Sequence, residues 1–314
     1  MTNLLDGQHR RRADAAFRWA STAAGAAVLA VLLLIVVTMA AKALPVLRHT
    51  GVGFLTHRRW NPPEKLFGAF GFIFGTLVSA TIAMVLAVPV SIGIALFVTH
   101  IAPLRLRRPV TYVLDLLAVI PSVVFGFWGI VFLSKRIVGV YSFLHATIGR
   151  VPMVGRLFGQ PHGRSFFTAG IILAIMIVPI VSSLAREVID TCPVTEREAA
   201  YGLGATRWEM IRAAVIPHSK GGLVGAVMLG LGRAMGETIA ATLVIGSSAQ
   251  VVANLFASGD SMPAVIASQW GEADGLHKSA LIGLAMTLFA ITVLVNVLAT
   301  RIVNRSMCRS RGTV

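Results

Sequence analysis

Two charged residues that could do chemistry, Arg233 and Glu237, lie four positions apart in the apolar stretch Leu223 to Gly246. An arginine at the centre of a bilayer costs at least ~2.5–3.5 kcal/mol on insertion scales, so its presence needs an explanation. The spacing places both side chains on one helix face. In one interpretation the charges neutralise each other and fix the helix against a neighbour. In the other, which we favour, Arg233 attracts a passing anion and Glu237 weakens its hold, so that the anion is released.

Small residues in the same part of the chain predict that this helix lies at the centre of a bundle. Gly222, Ala226, Gly230 and Ala234 recur at every fourth position, and Gly232 and Gly236 form a GxxxG pair. Residues of this size let helices approach closely in a membrane, where no hydrophobic effect drives them together. We therefore expect Arg233 to face an interface or an aqueous pathway.

A second candidate site is the connection 187–220, whose residues predict two short helices separated by a turn. Two threonines are each followed three residues later by a glutamate, which is the pattern of a capping box: Thr195 with Glu198, and Thr206 with Glu209. Between the boxes lie Gly202 and Gly204, and glycine is the residue that most often ends a helix.

Apolar residues in the second half of this connection suggest a contact surface. Trp208, Met210 and Ile211 would give an exposed pair of short helices an apolar anchor. The simpler alternative is an ordinary connection that packs against the membrane helices.

The elements that must position these residues are six apolar segments, each close to the 20 or so residues that cross a bilayer. The chain is 56% hydrophobic and 13% charged, about half the charged fraction of an average soluble domain. Its mean hydropathy is +0.79. The predicted spans are Ala20 to Leu44, Phe72 to Val98, Val110 to Leu133, Phe166 to Leu184, Leu223 to Gly246, and Ser279 to Ile302. Prolines inside three of them can be accommodated by neighbouring helices. The sequence therefore predicts an all-α integral membrane protein.

Lysine and arginine predict the orientation of the chain. They are more frequent in the segments that an inside N-terminus would leave in the cytoplasm. We expect a basic cytoplasmic N-terminus (1–19), a transmembrane domain (20–302) and a cytoplasmic tail (303–314), with the 187–220 connection inside. The first span is longer than the core of a signal peptide, so we expect it to be retained. A basic outer connection at 134–165 is most simply explained as solvated loop charge.

Several classes of function are not supported by the sequence. The net charge of +15 is spread along the chain without a nucleic-acid-binding module, so we expect membrane lipid as the partner of these charges. Cys192 and Cys308 are the only cysteines and the histidines are scattered, so we predict no metal site and no cofactor. The GxxxxGK[ST] phosphate loop is absent, so we expect no ATP hydrolysis by this chain.

Part of the 187–220 connection resembles a known motif. Glu198-Ala199-Ala200, then Gly204, then Ile216-Pro217 are similar to the EAA motif of ABC-importer permeases, although Ala214 and Ile216 replace the usual aliphatic residue and leucine. The resemblance implies a type I importer permease of six transmembrane helices. It also implies that Glu198, Ala199, Ala200, Gly204 and Pro217 belong to coupling helices that dock on cytoplasmic ATP-binding subunits.

A longer resemblance covers the chain from about Trp60 to Ile302. The sequence GRAMGET at 232–238 and the residues 240–246 after it resemble the C-type permease of the bacterial phosphate-specific transport system. Also similar are Trp60-Asn61-Pro62, Phe67-Gly68, Gly75-Thr76-Leu77 and the run 169–177 ahead of Pro179. This family implies that Arg233 and Glu237 act in phosphate passage across the bacterial plasma membrane, with both termini cytoplasmic. It also implies a second homologous permease and an external phosphate-binding protein as partners.

Other functions stay open at the level of the sequence. The same architecture could carry another oxyanion, molybdate or sulfate, or the chain could be the partner permease of the phosphate system. A secondary anion transporter or a channel would need no ATPase-docking loop. A membrane scaffold that transports nothing would need Arg233 only for assembly.

Overall fold

The computed structural model describes residues 3–149, 151 and 155–311, which are mainly helical. Its helices are α1 (Asn3–Thr50), α2 (Gly53–Thr56), α3 (Phe70–Leu96), α4 (Leu104–Val119), α5 (Ser122–Trp128), α6 (Ser134–Ile148), α7 (Phe166–Asp190), α8 (Val194–Gly202), α9 (Arg207–Met210), α10 (Ile216–Gly236), α11 (Ile239–Ile245), α12 (Met262–Gln269) and α13 (Gly275–Arg311). Single π-helical turns at Phe97–Ile101, Gly129–Leu133 and Ile211–Val215 extend or join them. The predicted all-α class is confirmed.

Six helical stretches of the described chain are long and apolar enough to cross a membrane. They are Asp14–Thr50, Phe70–Ile101, Ser122–Ile148, Phe166–Asp190, Arg207–Gly236 and Gly275–Arg301. The number agrees with the sequence analysis, and the first, second, fourth and sixth predicted spans coincide with helices. The third and fifth predicted spans are displaced.

The predicted third span, Val110 to Leu133, is wrong because the helix breaks at Pro121. Proline disfavours the helical conformation of the residue before it, and Ile120 is accordingly extended, with ψ of 126°. The polar helix α4 therefore ends at Val119. The apolar stretch begins afterwards and runs from Ser122 to Ile148 through α5, a π-helical turn and α6.

The predicted outer connection 134–165 is too long for the same reason. Its first half, Ser134–Ile148, is the helix α6. Arg136 in this helix packs against an aromatic ring, with its guanidinium carbon 4.3 Å from the centre of the Phe132 ring. Arg150 and residues 152–154 of the predicted connection lie outside the described residues.

The predicted fifth span, Leu223 to Gly246, is also displaced. The helix that contains it begins at Arg207 and ends at Gly236. Glu237 is extended, with φ of −69° and ψ of 125°, and the short helix α11 follows from Ile239. The apolar stretch therefore consists of two helices with a break between them.

Helix α7 lies at the centre of the bundle. In its apolar 18-residue stretch 61% of the residues are buried. None are buried in the corresponding stretch of α1, which packs beside α13 at the periphery. Helix α7 contacts α3 on one side and α10 on another. Gly170, which has no side chain, lets α7 approach α3 closely. A Cβ at this position would overlap the side chain of Ile82. Alanines of α3 at positions 80, 83 and 87 are buried in one cluster with Leu173 and Ile177 of α7.

A small hairpin closes the end of the bundle at which α3 begins. Its strands β1 (Trp60–Asn61) and β2 (Leu66–Phe67) are antiparallel. The Trp60 ring lies edge-on to Phe67 and Phe72, at 5.3 and 5.1 Å between centroids. Its indole N–H donates to Oε1 of Gln269 in α12, at 2.9 Å. This tryptophan therefore ties the hairpin to both α3 and α12.

Asp260 is a buried acid in the loop between α11 and α12, close to the same end of α3. Its side chain accepts the backbone N–H of Ser261 at 2.8 Å, and the residue is 8% exposed. Its backbone carbonyl lies against Gly75, where any Cβ would overlap it. Burial raises the pKa of Asp260 from 3.8 to about 6, although the Ser261 N–H favours the charged form.

We predict that Asp260→Asn stabilises the protein at neutral pH. The folded state binds the Asp260 proton more tightly than the unfolded state, so stability falls as pH rises from about 4 through 6. The shift corresponds to at most about 3 kcal/mol, and asparagine keeps the acceptor for Ser261. Thermal unfolding in detergent should show a higher midpoint for Asp260→Asn than for the parent at pH 8, with a smaller difference at pH 5.

The control for this prediction is Glu64→Gln, a neutralised carboxylate that is exposed. It should leave the pH dependence of the parent unchanged. A midpoint difference between Asp260→Asn and the parent that is the same at pH 5 and pH 8 would contradict the assigned cause.

Candidate functional site

The 187–220 loop consists of two short helices joined at a glycine. Helix α8 ends at Gly202, and the chain turns through Gly204, whose φ is +82°. This left-handed conformation is one that glycine adopts without strain. Helix α9 follows and continues through a π-helical turn into α10. The predicted arrangement of helix, glycine turn and helix is confirmed.

Only the second of the two predicted capping boxes is present. Thr206 is the N-cap of α9, where its hydroxyl accepts the N–H of Glu209 at 3.4 Å. In return the Glu209 carboxylate accepts the N–H of Thr206 at 2.8 Å. The box predicted at Thr195 is wrong, because Pro193 is the N-cap of α8 and Thr195 lies inside the helix. With Pro193 in extended conformation as the N-cap, this helix starts two residues earlier than it would with Thr195 in that position.

The residues of the predicted motif lie on the outer surface of this loop. Glu198, Ala199, Gly204 and Pro217 are exposed, and Ala200 is half-buried. Large apolar side chains surround them without cover from the chain itself: Leu203 is 90% exposed, Trp208 61% and Tyr201 46%. We call Tyr201, Leu203 and Trp208 the exposed apolar patch of the loop.

The expected anchor of three apolar residues is split between two faces. Trp208 is exposed as predicted, but Met210 and Ile211 are each 2% exposed and point into the protein. They pack in one cluster with Ile189 at the end of α7 and Val215 before α10. The sequence analysis did not identify Leu203 as the second exposed apolar residue. Its position directly before the turn glycine Gly204 is the signal that could have indicated its exposure. The loop is thus fixed to the bundle from inside and presents an apolar patch outside.

Arg233 lies in the last turn of α10 and is exposed, about 20 Å along the helix from Lys220. A cation at this position is favoured by the partial negative charge of the helix C-terminus. The side chain borders a groove of about 620 Å³ between α10, α13 and α7. The groove is lined by Ile180, Gly225, Met228, Leu229, Gly232, Arg233, Asn296 and Thr300. Asn296 and Thr300 of α13 supply polar groups that the sequence analysis did not single out.

The predicted pairing of Arg233 with Glu237 on one helix face is wrong. The helix ends at Gly236, so the four-residue spacing no longer brings the two side chains together. Within the described residues, the one contact closer than 4 Å between a carboxylate and a basic side chain joins Glu196 and His218. Glu237 is half-buried at the break between α10 and α11. The arginine is therefore not neutralised by this carboxylate within the chain.

The small residues of α10 form two separate stripes. One stripe packs against α7 as predicted: Gly222 lies against Val188, Gly230 lies against Val181, and Ala226 and Ala234 are buried. The other stripe is Gly225, Gly232 and Gly236, where an added Cβ would meet no atom within 4 Å. This open glycine stripe lies on the exposed side of α10, along with Arg233. The GxxxG pair is therefore not used for packing within the chain.

Residues 87–307 match the family model described as the binding-protein-dependent transport system inner membrane component, which is more than half of the chain. The chain therefore belongs to this family of transporter permeases. The family resemblance inferred from the sequence is confirmed.

Relatives in several bacteria cover nearly the whole chain. The phosphate transport system permease protein PstC of Xylella fastidiosa strain 9a5c is 42% identical over 96% of this chain and 93% of its own. That of Haemophilus influenzae is 43% identical over 85% of each chain. A PstC 2 protein of Mycobacterium tuberculosis is 39% identical over 95% of this chain and 94% of its own.

Solved structures with a similar fold are subunits of ABC transporters. A chain of the inward-facing methionine transporter MetNI matches with a TM-score of 0.54 and 20% identity, over 76% of this chain and 94% of its own. A chain of a bacterial importer of the acidic polysaccharide alginate matches with a TM-score of 0.55 and 15% identity, over 94% and 99%. At these identities the likeness shows the fold alone.

We predict that Thr206→Ala loosens the start of α9, because an N-cap threonine contributes about 1 kcal/mol. Hydrogen exchange of the amide groups at 207–211 should become roughly fivefold faster, which is the ratio that 1 kcal/mol produces. Thr195→Ala is the matched control, since that threonine caps nothing and lies inside α8. Equal acceleration in both variants would contradict the assignment of the capping box.

Proposed function

We propose that this chain is a transmembrane permease subunit of an ATP-driven importer that carries inorganic phosphate across the bacterial cytoplasmic membrane. The observation that carries the proposal is the 42% identity, over nearly the full length of both chains, to a permease named for phosphate transport. The fold of six apolar helices and the exposed 187–220 loop support it. The expected partners are cytoplasmic ATP-binding subunits, which hydrolyse the ATP, a second homologous permease and an external phosphate-binding protein.

The orientation follows from the distribution of positive charge. The 187–220 loop, the segment 1–19 and the tail 303–314 lie in the cytoplasm, where Lys and Arg of short loops are enriched. With this orientation the hairpin and the Asp260 loop lie outside, on the side from which the binding protein delivers phosphate.

The exposed apolar patch of the loop is the surface that docks on an ATP-binding subunit. Burial of Leu203 and Trp208 against the partner would stabilise the complex, since burial of apolar area contributes roughly 25 cal/mol per Å². Glu198 and Gly204 belong to the same loop. Gly204 is needed there because the turn requires its left-handed conformation. Met210 and Ile211 hold the loop to α7 and α10, so a displacement of the loop is transmitted to the membrane helices. ATP binding would thus draw the loops of the two permeases together and open the pathway outward.

Arg233 provides the positive charge of the pathway. Its guanidinium suits an oxyanion, because its donors match two oxygens at once. The second permease would cover the open glycine stripe and enclose the groove, which removes water around Arg233 and strengthens its attraction for phosphate. Glu237, at the break just beyond α10, would line the same pathway without pairing with Arg233.

We predict that Leu203→Ala weakens association with the ATP-binding subunit at least tenfold without unfolding the permease. The side chain is 90% exposed, so its removal costs the isolated chain nothing, whereas a docked leucine contributes about 1.5–3 kcal/mol. Co-purification and ATP-dependent uptake in proteoliposomes would measure the effect. Leu104→Ala, at a leucine 79% exposed outside the loop, is the control. Uptake that persists without bound ATPase would instead favour a secondary transporter or a channel.

We predict that Arg233→Gln lowers phosphate uptake by the reconstituted complex at least tenfold, because a formal charge on the pathway is lost, and that Arg233→Lys has an intermediate effect. Labelled phosphate, sulfate and molybdate would be compared for parent and variants, with complex assembly checked by size-exclusion chromatography. Normal phosphate uptake by Arg233→Gln would refute the pathway role. Uptake of sulfate or molybdate in place of phosphate would refute the substrate.

A further inference from the structure

Three potential metal ligands from different segments meet at the base of the 187–220 loop. Cys192 lies in the turn after α7, Glu196 in the first turn of α8, and His218 in the first turn of α10. Oε2 of Glu196 is 3.3 Å from Nδ1 of His218 and 3.9 Å from Sγ of Cys192. The three ligand atoms all lie within 4.8 Å of one another.

Two of the three separations are close to those of a tetrahedral zinc site. Zinc binds sulfur at about 2.3 Å and nitrogen or oxygen at about 2.0–2.2 Å. Two ligands of a tetrahedron are about 1.6 bond lengths apart, which gives roughly 3.3–3.7 Å between ligand atoms. The nitrogen–oxygen distance already has this value, and the sulfur–oxygen distance exceeds it by a few tenths of an ångström.

We propose that Cys192, Glu196 and His218 form a binding site for Zn²⁺, with water as the fourth ligand. A set of one thiolate, one imidazole and one carboxylate suits zinc, whereas Mg²⁺ and Ca²⁺ require oxygen ligands. Without a metal, Oε2 of Glu196 and Nδ1 of His218 are in direct contact. The proposal concerns a binding property of the loop and is independent of what the permease carries.

The environment of the ligands fits metal entry from the solvent. The side chains of Glu196 and His218 are 47% and 32% exposed, while Cys192 is 2% exposed and forms the inner wall of the site. Burial, with the Glu196 carboxylate, raises the pKa of the Cys192 thiol, so the thiol keeps its proton in the absence of metal. Binding of Zn²⁺ forms the zinc–sulfur bond and releases that proton to the solvent.

Two prolines limit the freedom of the ligands before any metal binds. Pro193 follows Cys192, and Pro217 precedes His218. Each fixes its own φ near −65°, so less backbone entropy is lost when the ligands are held by a metal. A bound ion would connect the first turn of α8 directly to the first turn of α10. It would therefore stiffen the helix that carries the predicted coupling residues.

The site differs from the expectation of the sequence analysis, which predicts no metal site. Cys192 and Glu196 are four residues apart, but His218 follows only after the two short helices of the loop. No short sequence motif predicts this arrangement, because His218 is distant in sequence and approaches the other two residues only through the fold of the loop.

The test uses the purified full-length chain in detergent and Zn²⁺ alone, titrated in competition with a chromophoric chelator. We expect one tight site per chain, which Cys192→Ser and His218→Gln each weaken at least tenfold. Cys308→Ser removes the other cysteine of the sequence and should bind as the parent does. Bound Co²⁺ should show a thiolate charge-transfer band in the parent and in Cys308→Ser but not in Cys192→Ser.

A structural readout separates a lost ligand from a misfolded variant. Zn²⁺ should slow hydrogen exchange in Val194–Gly202 of the parent but not of His218→Gln, whose exposed position tolerates the change and whose elution should match the parent. Unchanged zinc affinity in both ligand variants, or a charge-transfer band that depends on Cys308, would overturn the proposal. Displacement of zinc by excess Mg²⁺ would also overturn it.

Discussion

Close contact between α7 and its neighbours α3 and α10 is the constraint on which the rest of this structure depends. Lipid is as apolar as leucine, so helices in a bilayer are held together by packing rather than by escape from water. Gly170 lies against Ile82 of α3, and Gly222 and Gly230 of α10 lie against valines of α7. These contacts fix three helices at short distances. The helix ends, and therefore the loops at both faces, are positioned by them.

The 187–220 loop is held in place by its contacts with this bundle. It leaves α7 and enters α10, and Ile189 and Val215 at these two junctions share one buried cluster with Met210. A loop attached only through its ends would move freely, whereas this loop is also attached through its interior. The interior cluster therefore connects the loop directly to both helices.

Hydropathy and local spacing predicted the features that local physics determines: the number of apolar helices, the turn at Gly204 and the capping box at Thr206. They did not predict where two apolar stretches break or which side chains are buried by tertiary contacts. Pro89 and Pro179 lie inside continuous helices, whereas the chain breaks at Pro121, and hydropathy does not distinguish the three prolines. The pairing of Arg233 with Glu237 assumed a continuous helix, and the break after Gly236 removes that assumption. Exposure of Met210 was likewise a question of tertiary packing.

The open glycine stripe of α10 has a consequence for the stability of the chain by itself. Glycine within a helix is less stable than alanine by about 0.5–1 kcal/mol, because it loses more backbone entropy on folding. Gly225 and Gly232 incur this loss although nothing in the described chain presses against them. Alanine at these positions would thus be expected to strengthen the solitary subunit. This helix is therefore less stable than its alanine variants would be, and packing within the described residues does not explain these two glycines.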